Sequence, residues 1–191
     1  MTTVTAVVGG IVCALLIVVV ALLVAAYNRL VRLRNQADAS WAQIDVQLKR
    51  RYDLIPNLVE TVRGYAAHER GTLDAVVAAR GNAMTAAQGA GPASRAVAEG
   101  ELTSALGRLF AVAEAYPHLK ANENFAALQG ELANTEDKIA YARQFFNSAV
   151  QSYNNAVQTV PTNVVAGLTG FRAREFYQAA GDERGPVRVQ F

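Results

Sequence analysis

"LKRRYDLIPNLVE", residues 48–60, decides how the chain is read, because a proline stands where the neighbouring letters describe a helix. Inside a helix the proline ring removes one backbone hydrogen bond, crowds the carbonyl four residues back and costs about 3 kcal/mol or more. Either the helix ends at Pro56 or the chain accepts a bend there. Moving outward from Tyr52 and Ile55 by threes and fours decides between them. Upstream the steps meet Leu48, Ile44, Trp41, Ala37, Leu33 and Leu30; downstream they meet Val59, Val62, Ala66, Leu73 and Val76, with Glu69 alone polar. That is the period of an amphipathic helix, and its phase does not slip at Pro56. "DLIPN" has no spare turn residues for a hairpin. The pattern predicts one long helix from residue 28 to about residue 80, kinked at Pro56, with the freed Tyr52 carbonyl answered by Arg51 or Asn57. The alternative is two helices meeting at residues 53–56.

Ahead of this helix, "TAVVGGIVCALLIVVVALLVAA", residues 5–26, carries no charge. A helix of that length rises about 33 Å, enough to cross a hydrocarbon core of about 30 Å. A cleaved signal peptide competes, with Val24-Ala25-Ala26 as its cleavage site. The missing basic n-region and the long apolar run favour a retained anchor. Arg29, Arg32 and Arg34 follow at once, whereas the amino side has neither Lys nor Arg. The positive-inside rule then predicts a single pass through a bacterial inner membrane, amino terminus outside and the remainder cytoplasmic. The same arginines, with Tyr27, suit an anionic headgroup layer.

Residues 81–93, "GNAMTAAQGAGPA", read as a loop. Ser94 can cap a helix that ends before Pro117. Asn122 or Asn124 can cap a last long helix, stopped by Pro161, with Phe125, Leu128, Leu132, Ile139, Ala142, Phe146, Val150, Tyr153 and Val157 at helical spacing. Three long passes, the first bent in two, give an all-α fold: an N-terminal transmembrane helix followed by an up-and-down bundle. The expected division is residues 1–27 as anchor, 28–161 as bundle and 162–191 as a tail docking on it. Within the tail, "GFRAREFYQAAG" is expected to form a short helix and "PVRVQF" an extended segment.

Recognisable chemistry is sparse. A net charge of +2 is too small to suggest nucleic acid as a partner, and the single Cys13 excludes a disulfide framework. His68 and His118 are the only histidines, and "HERGT" lacks the second histidine of a zinc helix. Of the carboxylate pairs, Glu136-Asp137 are adjacent residues that point apart on a helix, and Asp182-Glu183 sits in a glycine-flanked turn. The expectation is no catalytic residue, no metal, no cofactor and no enzymatic activity. What stands out is polar residues beside the apolar seam: Arg51 and Asp53 ahead of Pro56, then Arg80, Glu114 ahead of Tyr116-Pro117, and Glu136, Arg143, Asn147 and Asn154 along one face. The plainer reading is a solvated flank with i,i+4 pairs such as Asp45 with Lys49, each contributing about 0.3–0.5 kcal/mol. The sharper reading is an interhelical network, Arg51 and Arg143 with Glu114 and Glu136, that fixes the register of the bundle.

Three stretches together resemble the LemA-like family: "YNRLVRLRNQADASWAQIDVQLKRRYDLIPNLVETVRGYAAHE", "EAYPHLKANENFAALQGELANTEDKIAYARQFFNSAVQSYNNAVQTVP", and "GF" with the closing "PVRVQF". They cover nearly all of the chain after the anchor. The resemblance implies a membrane anchor, a bromodomain-like up-and-down helical bundle, no assigned reaction, and an association with bacterial membranes, membrane shaping and neighbouring membrane proteases. The expected function is a membrane-anchored, non-catalytic scaffold that self-associates; a lipid-binding or membrane-remodelling element is the alternative. Expected partners are membrane lipid, a second copy and other membrane proteins such as a protease, with no nucleic acid.

Overall fold

The computed structural model describes residues 2–178, with side chains from Gly9 onward. "PVRVQF" and the Asp182-Glu183 pair lie outside the described residues. The helices are α1 (Thr2–Tyr65), α2 (Arg70–Gly89), α3 (Pro92–Ala113), α4 (Pro117–Lys120), α5 (Glu123–Gln158) and α6 (Thr162–Thr169), and there is no strand among the described residues. The fold is all-α, as the periodicity predicts. The described residues form two compact units: 2–40 with 148–174, and 41–147 with 175–178.

The helix α1 passes through Pro56 without a break. The seam traced in the sequence is buried: Ile44, Leu48, Tyr52, Ile55, Val59 and Val62 are each at most 6% exposed. The helix does not reach residue 80, however. It stops at Tyr65, and Ala66–Glu69 form a turn in which Glu69 N–H donates to Ala66 O (3.0 Å) and Leu73 N–H to Glu69 O (3.1 Å). Gly64 and Gly71 flank this turn, and glycine weakens a helix through its extra backbone entropy. Ala66, Leu73 and Val76 stay buried on both sides of the break. The apolar phase therefore survives a reversal of chain direction.

Side-chain pairs fix the topology of the second unit. Arg80 reaches Tyr52, so α2 runs antiparallel to α1 about the turn. Arg95 meets Asp45 and Glu99 meets Arg51, so α3 runs parallel to α1. Glu131 meets Arg50 and Asn122 meets Tyr65, so α5 runs antiparallel again. The result is an up-and-down bundle of four segments. Its second segment is α2, made at the turn after Tyr65 and not by a bend at Pro56. Nor are residues 81–93 a loop: α2 continues to Gly89, and α3 starts at Pro92 behind Gly91, ahead of Ser94. Alanines 83, 86 and 87 favour helix strongly enough to carry Gly81, and Pro92 at the first helical position is preorganised for it. At the start of α5, Asn122 Oδ1 accepts from Phe125 N–H (3.0 Å), the capping role read from the sequence.

In the first unit, Ala26 and Leu30 of α1 share a core with Ala156 of α5 and Val165 and Ala166 of α6; Leu33, Val157 and Phe171 pack against it. The short helix expected in "GFRAREFYQAAG" does not form over its described residues, 170–178. The helical residues lie just upstream, in α6, and Gly170 ends them at φ 77°, the left-handed region that glycine enters without penalty. Residues 171–178 have no regular structure. From Gly9 to Ala25 every side chain of α1 is exposed, and the most apolar 18-residue window of the helix has a mean hydropathy of 3.0.

Candidate functional site

Pro56 offers no N–H to the carbonyl of Tyr52, which would otherwise accept the bond of an intact helix. Arg80 supplies the missing donor from α2: its Nε lies 2.8 Å from Tyr52 O. Arg51 and Asn57, the neighbours expected to do this, do not. Thus a helix on the other arm of the α1–α2 hairpin satisfies the group that the proline orphans.

Arg51 itself turns into the core. It is 4% exposed, and its Nη1 lies 3.4 Å from Glu99 Oε2 and 3.2 Å from Glu136 Oε2, while Nη2 donates to Thr103 Oγ1 at 2.8 Å. The Tyr52 hydroxyl donates to the other Glu99 oxygen. One helical turn earlier in α3, the buried Arg95 pairs with Asp45 and lies over the Trp41 ring, 5.1 Å from its centroid. Trp41 in turn packs against Phe146 and Tyr177. The interhelical network thus contains Arg51 and Glu136, but its centre is Glu99 with Arg95 nearby, residues that the spacing argument had not selected. Glu114 is exposed and pairs with Lys120 (2.5 Å); it lies where α3 ends and is no part of the cluster. Arg143 is half-buried, with its charge felt at Tyr177, and makes no ion pair with Glu114 or Glu136. Lys49 pairs with Asp53 (2.9 Å), because Asp45 is engaged by Arg95.

Burial shifts the acids of this cluster. It pushes the Glu99 carboxyl above its ordinary value, against the Tyr52 hydroxyl and the Arg51 and Arg95 charges that pull it down. Burial likewise raises the Tyr52 phenol, reinforced by Glu99, and the Tyr177 phenol. A proton held more tightly by the folded than the unfolded state makes stability fall as pH rises past the unfolded value. Stability is therefore expected to be undiminished by these tyrosines below their ordinary pKa of 10.0 and to fall progressively above it. Tyr177 Oη is buried with no hydrogen-bond partner among the described residues. Tyr177→Phe should then leave neutral stability unchanged or slightly higher while flattening the alkaline decline. Thermal unfolding as a function of pH, followed by circular dichroism, measures both.

Two asparagines clamp the C-terminal segment, each by the same device. Within the second unit Asn147 donates to Tyr177 O (2.9 Å) and accepts from Tyr177 N–H (2.9 Å). Within the first, Asn154 donates to Arg174 O (2.9 Å) and accepts from Arg174 N–H (2.8 Å). Arg174 also pairs with Asp38 at 2.5 Å and lies near the Tyr153 ring. Elsewhere, the Tyr116 hydroxyl donates to Glu69 (3.1 Å), and Pro117 opens α4. Tyr27 meets Phe171 edge-on at 5.8 Å, and Arg29, Arg32 and Arg34 are exposed. Among the described residues no group of three His, Cys, Asp or Glu could hold a metal ion. The cluster has the carboxylate, guanidinium and phenol groups of a site, and Arg51, Tyr52, Arg95 and Glu99 at its centre are buried; what it offers physically is register, since each buried group requires one particular partner.

Residues 40–191 match the profile of the LemA family. Similar curated proteins include magnetosome protein MamQ 2 of Paramagnetospirillum magneticum, 30% identical over 189 residues that cover 85% of this chain and 69% of the relative. Magnetosome protein MamQ of Magnetospirillum gryphiswaldense is 30% identical over 181 residues, covering 82% of this chain and 66% of the relative. Protein LemA of Metamycoplasma hominis is 26% identical over 160 residues, covering 84% and 72%. With the exposed apolar helix, these likenesses mark a membrane-associated protein.

Proposed function

Because the chain belongs to the LemA family, we propose that it is a membrane-anchored, non-catalytic helical scaffold that associates with further copies of itself. One observation carries the reading: a single helix, α1, contains both the apolar run that suits a bilayer and the seam buried in the bundle. A bundle tethered this way meets its neighbours in two dimensions at high effective concentration, so that weak contacts suffice for assembly. The Arg29, Arg32 and Arg34 cluster supports a cytoplasmic bundle beneath a bacterial inner membrane. A neighbouring membrane protein, such as a protease, is a further partner in keeping with the family resemblance. The burial of Arg51, Tyr52, Arg95 and Glu99 among one another supports a structural role.

Amine-reactive cross-linking in native membranes tests the scaffold. A ladder of chain multiples is expected. A chain that stays monomeric at native abundance would remove self-association and favour the second reading, a lipid-binding or remodelling element. That reading draws on the exposed arginines directly after the apolar run.

A further inference from the structure

The stretch "TVPTNVVAGLTGF", residues 159–171, contains no charged residue, yet much of it is exposed. In α6, Thr162, Val165 and Ala166 are buried, while Val164 is 55% and Leu168 81% exposed. Val164 and Leu168 are four apart and form one apolar face; Val160, 74% exposed, precedes it by the same interval. A surface helix in water normally carries charge on its outer face.

The level of this helix along α1 explains the exception. Its buried face packs on Ala26 and Leu30, the last residue of the apolar run and a residue one turn beyond. The chain also descends along α1. Val160 lines a cleft with Arg29 and Leu33, whereas Phe171, after α6, touches Tyr27. Leu168 thus lies nearer the apolar run than Val160 does. Tyr27 and Phe171 form an aromatic pair directly after the apolar run, the kind of pair that aromatic belts use, and Arg29, Arg32 and Arg172, close to it in sequence, are exposed.

From this placement we propose that α6 is an interfacial helix, whose Val164–Leu168 face enters the boundary between headgroups and acyl chains, giving the chain a second membrane contact beside its anchor. The proposal rests on reading residues 5–26 as a retained span. It commits to lipid and not to a protein partner, because the helix that carries the apolar face packs on the end of that span, and Arg29 lines the cleft at its start.

Nitroxide scanning of the full chain in phosphatidylcholine–phosphatidylglycerol vesicles tests it. Single cysteines are placed at 168, 164 and 160 in a Cys13→Ser background, with position 17 as a lipid reference and the exposed Gln36 as an aqueous one. Collision with oxygen should exceed collision with a water-soluble nickel chelate at 168 as it does at 17. The ratio should fall in the order 168, 164, 160, and reverse at 36. A label at 168 that matches the one at 36, while 17 still reports lipid, overturns the interfacial helix and leaves the anchor standing. Loss of the lipid signature at 17 as well overturns both. Exclusion of both reagents at 168, with spin–spin broadening between labels, overturns the proposal in favour of a second copy on this face.

Discussion

Arg51→Met is expected to cost the bundle about 3–5 kcal/mol, because it leaves the Glu99 carboxylate buried without its nearest cation. The comparison that isolates this cause is Arg51→Met with Glu99→Gln. Removing both charges should recover more than half of the loss, since a matched apolar or neutral pair in such a place is often as stable as the ion pair it replaces. Glu136→Gln is the contrasting variant. Glu136 also touches Arg51, but its side chain is 41% exposed, and water competes for it. Its loss should cost less than about 1 kcal/mol. pH gives an independent check. Glu99 already has a raised pKa, and removing Arg51 raises it further; protonation then relieves the variant. The gap between wild type and Arg51→Met should narrow as pH falls toward the ordinary glutamate value of 4.5. Urea unfolding of the full chain in detergent, followed by circular dichroism, reads wild type, these three variants and Glu99→Gln alone. Simple additivity of the Arg51 and Glu99 costs would show that the pair does not act as a unit.

The residues of this cluster also show which parts of the fold were legible. The apolar seam was, because a period of three and four is a direct consequence of helix geometry. Its reversal after Tyr65 was not, since a hairpin of two amphipathic helices can keep the same phase on both arms; Gly64 and Gly71 were the local cue. Arg95 and Glu99 were hidden by the alanine- and glycine-rich stretch before them, which reads as a loop. Yet they stand in phase with Leu102, Leu106 and Leu109, all buried. Charged residues in step with a leucine row are a signature of buried ion pairs that the sequence does hold. For α6 the cue was Pro161 ahead of "TNVVAGLT" and Gly170 behind it, the asymmetry by which helices begin and end. Glu114 misled because it is near the seam in sequence while α3 is already ending.

The proline that organised the reading yields the second large effect. If Arg80 exists in the fold to answer the Tyr52 carbonyl, its value depends on the proline four residues later. Arg80→Met keeps most of the side chain's apolar stem and removes the donor, leaving a partly buried carbonyl unpaired at a cost of about 1–3 kcal/mol. Pro56→Ala restores an N–H that the same carbonyl can accept within α1, and relieves the steric crowding of the ring. Alone, it should therefore be neutral or stabilising, because Pro56 is exposed and contributes no core packing. In the Pro56→Ala background, Arg80→Met should cost less than about 0.5 kcal/mol, so the two changes are coupled by about 0.5 kcal/mol or more. An Arg80→Met cost that is the same in both backgrounds would mean that Arg80 stabilises the α1–α2 hairpin through packing alone. The proline would then be tolerated by some other compensation. A vanishing cost would establish that two residues 24 apart in sequence are matched because one removes a hydrogen bond and the other restores it.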